Sequence, residues 1–187
     1  MATATLPLLF AHCTRSAPRP EHDVSLYSGL RDIVTLGDSE TQVLQRARGA
    51  PERMQISNDP GLLKLRFSHL FNFRENGTRV YFRHGRVALI AAQEPFRGKV
   101  QGKRLTLFKF GPPPENTWEE VLTRELGEPL ARASGGRFGS EAFFYPWGDI
   151  SYNRMGPNEI ALYRDPDVSR YRLKNFGREV KFFKSKP

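Results

Sequence analysis

The chain has 187 residues, of which 39% are hydrophobic and 12% aromatic, which is enough apolar matter to offset the entropy of ordering a folded chain. No run approaches the roughly 20 apolar residues that a membrane-spanning helix needs, and the single cysteine excludes an internal disulfide framework and a cysteine zinc cluster. Lys and Arg number 29 against 20 Asp and Glu, and the net charge of +9 admits polyanions as partners.

The first 28 residues are predicted to form an N-terminal tether or signal remnant outside the folded body. Residues 6–13 read Leu-Pro-Leu-Leu-Phe-Ala-His-Cys, and a polar run with two prolines follows. This resembles the end of a bacterial lipoprotein signal, in which a short apolar run stops at a cysteine that becomes lipidated. Cys13 is therefore a candidate lipidation site, and the alternative is a frayed N-terminus with an inert cysteine.

An internal repeat organises the rest of the chain. Residues 39–51 and 117–129 align at a constant offset of 78 residues. In each segment a hydroxyl residue and a Gln or Glu three positions later predict a helix that begins with a capping box. The pairs are Ser39 with Gln42 and Thr117 with Glu120. A glycine two residues before a proline then ends each predicted helix.

Alternating apolar residues downstream of each helix predict antiparallel strands. The corresponding strands are 71–73, 80–82 and 87–89 in the first copy and 143–145, 150–152 and 160–162 in the second. A fourth strand is predicted at 97–109 and again at 172–184. Both copies of this strand are basic, since residues 96–110 contain five basic residues and no acid, and residues 170–187 contain seven basic residues against Glu179 alone.

These patterns predict an α+β fold made of two tandem repeats, each a helical hairpin followed by a four-stranded antiparallel meander. The sheet is expected to be curved, with the helices on one face. The first repeat would occupy residues 29–110 and the second residues 111–187. Prolines 112–114 are the natural joint, because consecutive prolines continue neither strand nor helix.

The repeated unit resembles those of two bacterial families over residues 29–187. The features concerned are the Gly-Asp-Ser start at residues 37–39, the helix that ends in Gly-x-Pro and the meander rich in Tyr and Phe. They are similar to the repeats of β-lactamase-inhibitory proteins and to the small outer-membrane assembly lipoproteins called SmpA/OmlA. The resemblance implies a helix–loop–helix on a curved four-stranded sheet and no catalytic residue. Two tandem copies that grip a partner fit the former family, whereas a lipidated Cys13 fits the setting of the latter.

The strand alternation predicts a candidate partner-binding surface on the sheet face away from the helices. Aromatic side chains with arginine on an open sheet face have the composition of an interface core, and the alternative is that some of them pack between the repeats. The candidate partner-binding residues are Tyr81, Arg83, Phe108, Phe144 and Tyr163.

The basic fourth strands form a candidate polyanion-binding surface, with a merely solvated face as the alternative. The candidate residues are Lys99, Lys103, Arg104, Lys174, Arg178 and Lys181. No catalytic or metal-binding constellation is predicted, because the histidines are scattered and Ser39 fits a helix cap better than a nucleophile.

The sequence therefore predicts a non-enzymatic protein-binding module without a cofactor or a small-molecule substrate. We expect an envelope lipoprotein that acts as an assembly factor or inhibitor through the open face of its sheet, in the periplasm or attached to the outer membrane. Without lipidation the location would be cytoplasmic. The alternative function is a binder of polyanions, either nucleic acid or anionic lipid, through the basic strands.

Overall fold

The computed structural model describes residues 22–25, 29–30, 34–47, 50–74, 77–93, 96–107, 117–136, 139–152 and 158–183. The helices of this part are α1 (Glu40–Arg46), α2 (Pro60–Lys64), α3 (Trp118–Leu126) and α4 (Pro166–Phe176). Its strands are β1 (His22–Ser25), β2 (Gly29–Leu30), β3 (Glu52–Gln55), β4 (Phe67–Phe73), β5 (Thr78–Arg83), β6 (Arg86–Gln93), β7 (Phe96–Val100), β8 (Lys103–Leu107), β9 (Ala131–Gly135), β10 (Glu141–Tyr145), β11 (Gly148–Tyr152), β12 (Glu159–Leu162) and β13 (Gly177–Phe182).

The strands form two sheets. The larger sheet has nine strands, antiparallel throughout, in the order β13-β9-β10-β11-β12-β6-β5-β4-β3. The smaller sheet has four strands in the order β2-β1-β7-β8, and β1 and β7 are parallel within it. The fold is thus α+β with a large antiparallel sheet.

Helices α1 and α3 begin at the two predicted capping boxes. The Ser39 hydroxyl accepts the Gln42 amide at 3.3 Å, and the Gln42 side chain accepts the Ser39 amide at 2.8 Å. Thr117 and Glu120 make the same pair of bonds at 3.2 and 2.7 Å. Each helix is followed by a four-stranded antiparallel meander, β3–β6 after α1 and β9–β12 after α3.

The two meanders are joined at one seam into a continuous sheet. Strands β6 and β12 pair antiparallel, with Ile90 opposite Leu162 and Ala91 opposite Ala161. The alanines and their neighbours are almost wholly buried, so the seam lies in the middle of the core. The last strand of each meander is therefore an inner strand of the whole sheet.

The predicted fourth strand of the second repeat is wrong over its first half. Residues 172–176 belong to helix α4, and only Gly177–Phe182 forms a strand. The Asp165 carboxylate caps α4 by accepting the Asp167 amide at 2.7 Å, and Pro166 stands in the first turn, where its missing amide proton costs nothing. The matching segment of the first repeat is a hairpin of two strands, β7 and β8.

The predicted helical hairpin is also replaced by a different arrangement. Strand β3 follows α1, and the short helix α2 lies between β3 and β4. Asp59 caps α2, because its Oδ1 accepts the amides of Gly61 and Leu62, each at 3.0 Å. Among the described residues, none of the helices has the length and apolar character needed to cross a membrane.

The large sheet is covered on both faces, whereas the sequence predicted helices on one face. On the first, which we call the α1/α3 face, Val43 of α1 and Leu122 of α3 share one buried cluster with Phe143 of β10. On the second, the α2/α4 face, Leu62 of α2 and Val168 of α4 share another cluster with strand residues. Adjacent strand residues alternate between these clusters, as the pleat of a sheet requires.

Candidate polyanion-binding surface

Two of the predicted partner-binding residues are buried beneath α4. Phe144 and Tyr163 are each 4% exposed. Phe144 belongs to an apolar cluster against which Leu173 and Phe176 of α4 pack. The Tyr163 hydroxyl donates to Asp149 Oδ2 at 2.8 Å. The face on which an open aromatic surface was predicted is therefore closed at these two positions.

Tyr81 and Arg83 lie on the same face and are half-buried. The rings of Tyr81 and Phe67 meet edge to face with centroids 6.4 Å apart, and burial raises the pKa of the Tyr81 phenol above its ordinary value. Arg83 forms an ion pair with Asp165, and its guanidinium lies 5.8 Å from the centre of the Phe67 ring. The fifth predicted partner-binding residue, Phe108, lies outside the described residues.

A buried charged contact anchors α4 over the sheet. Arg172 donates from Nε to Asp149 Oδ2 at 2.5 Å and from Nη2 to Asp149 Oδ1 at 2.8 Å. Nη2 also donates to Glu159 at 2.9 Å. Burial works against the charge of this guanidinium, but the attraction of Asp149 and Glu159 raises the pKa of Arg172 well above its ordinary value. The side chain therefore stays charged and α4 stays bonded to β11 and β12.

The predicted polyanion-binding residues are exposed, in contrast to the aromatic ones. Those with described side chains are Lys99, Lys103, Lys174, Arg178 and Lys181. The Arg104 side chain lies outside the described part of the chain. The positive charge of Lys181 is partly balanced, since its Nζ lies 3.7 Å from Glu119 Oε1 and 4.5 Å from the centre of the Phe183 ring.

The two basic segments do not form one surface. The β7–β8 hairpin, which carries Lys99 and Lys103, contributes Val100 and Leu105 to the buried cluster of the α1/α3 face. Helix α4, which carries Lys174, packs on the opposite face of the large sheet. The sequence alignment had treated the two segments as the same element of a repeat, and the structure separates them.

A basic surface nevertheless forms around α4, and it consists of Lys64, Arg170, Lys174 and Arg178. Lys64 and Lys174 line a cleft of about 530 Å³ between α2 and α4. Arg170 lies one turn before Lys174, and Arg178 is the second residue after the end of the helix. Among the described residues neither lysine has an ion-pair partner, whereas Arg170 pairs with Asp167 at 2.9 Å. Sequence reasoning missed Lys64, because nothing local links it to a helix 100 residues away.

His69 takes part in a chain of polar contacts that the sequence did not predict. The Ser68 hydroxyl lies 2.9 Å from His69 Nδ1, and Glu40 Oε1 lies 3.0 Å from His69 Nε2, although the latter contact lacks hydrogen-bond geometry. A serine hydrolase places Nε2 toward the serine, which is the reverse order. The ring is stacked on Phe82 with centroids 4.8 Å apart, and burial lowers the pKa of His69 despite the nearby Glu40. We interpret the contact as a link between α1 and β4.

The described residues contain no group of three or more His, Cys, Asp or Glu side chains that could hold a metal ion. Cys13 lies outside the described residues, so its lipidation stays a prediction. Comparison with known proteins gives no matching family model, no similar curated protein and no similar solved structure. The function is therefore argued from the chemistry of the surfaces themselves.

Proposed function

We propose that this chain is a non-enzymatic binding protein whose basic surface binds the phosphate backbone of a polyanion, either nucleic acid or anionic lipid. The observation that carries the proposal is the contrast in exposure between the two predicted sites. Phe144 and Tyr163 are buried under α4, while Lys174 on α4 and Arg178 just after it are exposed. A polyanion needs only accessible positive charge, and the basic surface supplies it.

The geometry of the basic surface supports contact with several phosphates at once. Lys64 and Lys174 face one cleft from two helices, and both are free of ion pairs within the described residues. Three to four phosphate contacts predict a loss of roughly 40- to 150-fold in affinity for duplex DNA between 50 and 200 mM salt. A hydrophobic protein interface would be far less sensitive to salt.

The experiment measures binding of a labelled oligonucleotide and of phosphatidylserine vesicles over a series of salt concentrations. Lys64→Gln and Lys174→Gln together should weaken binding and reduce the steepness of the salt dependence. Lys99→Gln with Lys103→Gln is the matched control, because it removes the same charge from the hairpin on the opposite face. Equal losses in both double variants would show that net charge alone, and not the basic surface, governs binding. The two probes distinguish nucleic acid from lipid.

A second candidate function, protein binding, is favoured by the edge strand β13. This strand is the last of the large sheet, and its Val180 and Phe182 side chains are 39% and 72% exposed. An exposed edge with apolar side chains is a common place for a partner to add a strand. Phe182→Ser should abolish capture of such a partner, and Leu44→Ser, at another exposed apolar residue, should not. Loss in both variants would contradict a role for β13.

We propose further that the chain is a duplication of one unit. The support is that α1 and α3 share the capping box, and that the sheet order is symmetric about the β6–β12 seam, with β5, β4 and β3 on one side and β11, β10 and β9 on the other. The units differ after the meander, where one has a hairpin and the other has α4 and β13. An envelope setting additionally requires lipidation of Cys13, which mass spectrometry of the protein from its own host would detect.

A further inference from the structure

The outer edge of β13 is open to a further strand. β13 pairs with β9 on one side, and no other strand of the described residues pairs with its other side. The side chains of residues 178–182 are all exposed. An open edge presents a row of backbone N–H and C=O groups that can hydrogen-bond to another strand. The side chains along the edge then decide which strand fits.

The apolar side chains of β13 lie on the α2/α4 face. Val180 is paired with Ala133 of β9, and Phe182 is paired with Ala131. Both alanines belong to the buried cluster on which α4 packs. Direct cross-strand partners share a face, so Val180 and Phe182 extend that face beyond its covered part.

The charged side chains of β13 lie on the α1/α3 face. Lys181 Nζ is 3.7 Å from Glu119 Oε1 of α3, which places Lys181 on that face. Glu179 is two positions away in the same strand and therefore shares the face. Among the described residues Glu179 has no ion-pair partner, although Arg178 and Lys181 flank Val180 and Glu179 in the sequence. The strand thus carries one unpaired acid on an otherwise basic edge.

The charges of β13 are complementary to those of a second β13 in one antiparallel register. When Val180 lies opposite Val180 of the second copy, Glu179 of each copy lies opposite Lys181 of the other. Within one residue of this register, the other arrangements are worse. Three of them set like charges opposite each other, namely Arg178 with Lys181, Glu179 with itself or Lys181 with itself, and the fourth leaves Glu179 opposite Phe182.

The strand at the other edge of the large sheet, β3, does not offer the same complement. Its two charged residues are already paired within the chain, Glu52 with Arg74 at 2.8 Å and Arg53 with Glu40 at 3.9 Å. Pro51 stands directly before this four-residue strand and has no amide proton to donate. The charge pattern therefore singles out β13.

We propose that the chain forms a two-fold dimer in which the β13 strands of two copies pair antiparallel about Val180. The inference rests on the candidate protein-binding role of β13 and names its partner as a second copy of the chain. Each contact occurs twice about the two-fold axis, and the large sheet continues from one copy into the other. Because the interface is one strand wide, the dimer is weak and its population depends on protein concentration.

The test is sedimentation velocity of the full chain over a series of protein concentrations. The unmodified chain should show a reversible monomer–dimer equilibrium. Glu179→Lys and Lys181→Glu should each weaken the dimer about tenfold, because each variant turns both opposite-charge pairs into like-charge pairs. Glu52→Lys on β3 is the matched control, since it makes the same change in charge at the other edge and should leave the dimer unchanged.

Mixing the two β13 variants tests the register itself. In an equimolar mixture every Lys at positions 179 and 181 of one copy faces a Glu of the other, so the dimer should return. A mixture that stays monomeric, or an unmodified chain that is monomeric at every concentration, would overturn the proposal. A monomeric chain that still captures a different protein through Phe182 would refute the self-pairing alone and leave the protein-binding role of β13 in place.

Discussion

The Tyr171 hydroxyl of α4 donates a 2.5 Å hydrogen bond to Oδ2 of Asp59, the residue whose other oxygen caps α2. One carboxylate therefore starts one helix and fixes it to another. The helices approach so closely here that Gly61 has no room for a side chain, since a Cβ atom would lie 2.1 Å from the Tyr171 ring. Asp59, Gly61 and Tyr171 line the same cleft as Lys64 and Lys174.

Gly61→Ala should lower the free energy of unfolding by about 1–3 kcal/mol, the usual cost of overpacking. Urea denaturation measures this directly. The control is the same substitution in a Tyr171→Ala background, where the ring that would clash is absent and the cost should vanish. An equal cost in both backgrounds would show that the close approach to Tyr171 is not the cause.

Arg172→Met should destabilise the protein by about 3–5 kcal/mol, because it leaves the buried Asp149 carboxylate without its partner. Arg170→Met, two residues away on the exposed side of α4, should change stability by less than about 0.5 kcal/mol. Thermal and urea melts of the two variants form a matched comparison. Similar stabilities would mean that α4 does not depend on its charged anchor.

Ser39→Ala and Thr117→Ala should each cost about 1 kcal/mol, because each removes the acceptor of a helix capping box. The two sites lie on different helices without shared partners, so their effects should add in the double variant. Thr123→Ala, in the interior of α3, is the control and should be nearly neutral. A large effect at only one cap would argue against equivalent roles for α1 and α3.

Stability should fall as the pH drops below about 6.5, the ordinary pKa of histidine. Burial lowers the pKa of His69 in the folded chain, so the unfolded chain binds the proton more readily. The stability that neutral His69 contributes is therefore present above pH 6.5 and is lost as the pH falls toward the folded pKa. His69→Gln should flatten this slope by up to about 1.4 kcal/mol per pH unit. An unchanged slope in urea melts at pH 5–7 would contradict the assignment.

Local signals in the sequence were sufficient to predict where α1 and α3 begin, because each capping box depends on two residues three positions apart. The same type of signal, Asp165 followed by Pro166, marks the start of α4. The basic segment was instead aligned with an earlier strand, although Val168 and Arg172 recur at helical spacing on its buried side. The sequence of strand β3 shows no alternation of apolar and polar residues that would predict a strand, because every one of its side chains is exposed.

Burial on both faces is the feature that the sequence could least predict. Apolar residues at odd and even positions of a strand were divided into a core face and a binding face, whereas both sets are core. A β-bulge adds a further shift, because the pairing slips between Tyr81 and Phe82 and sends Leu89 to the α2/α4 face and Ile90 to the α1/α3 face. The bulge has no signature in the sequence, so alternation alone could not assign Leu89 and Ile90 to their faces.

The β6–β12 seam has a consequence for a chain divided between its two meanders. In each fragment the sheet would have a new edge strand, β6 in the first and β12 in the second. The backbone groups of that strand, around Ala91 or Ala161, would have no pairing partner while the other fragment is absent. Three of the four residue pairs along that seam are apolar, so the fragments should recognise each other and reassemble as a split protein. Either fragment alone should pair with itself through the same edge and aggregate.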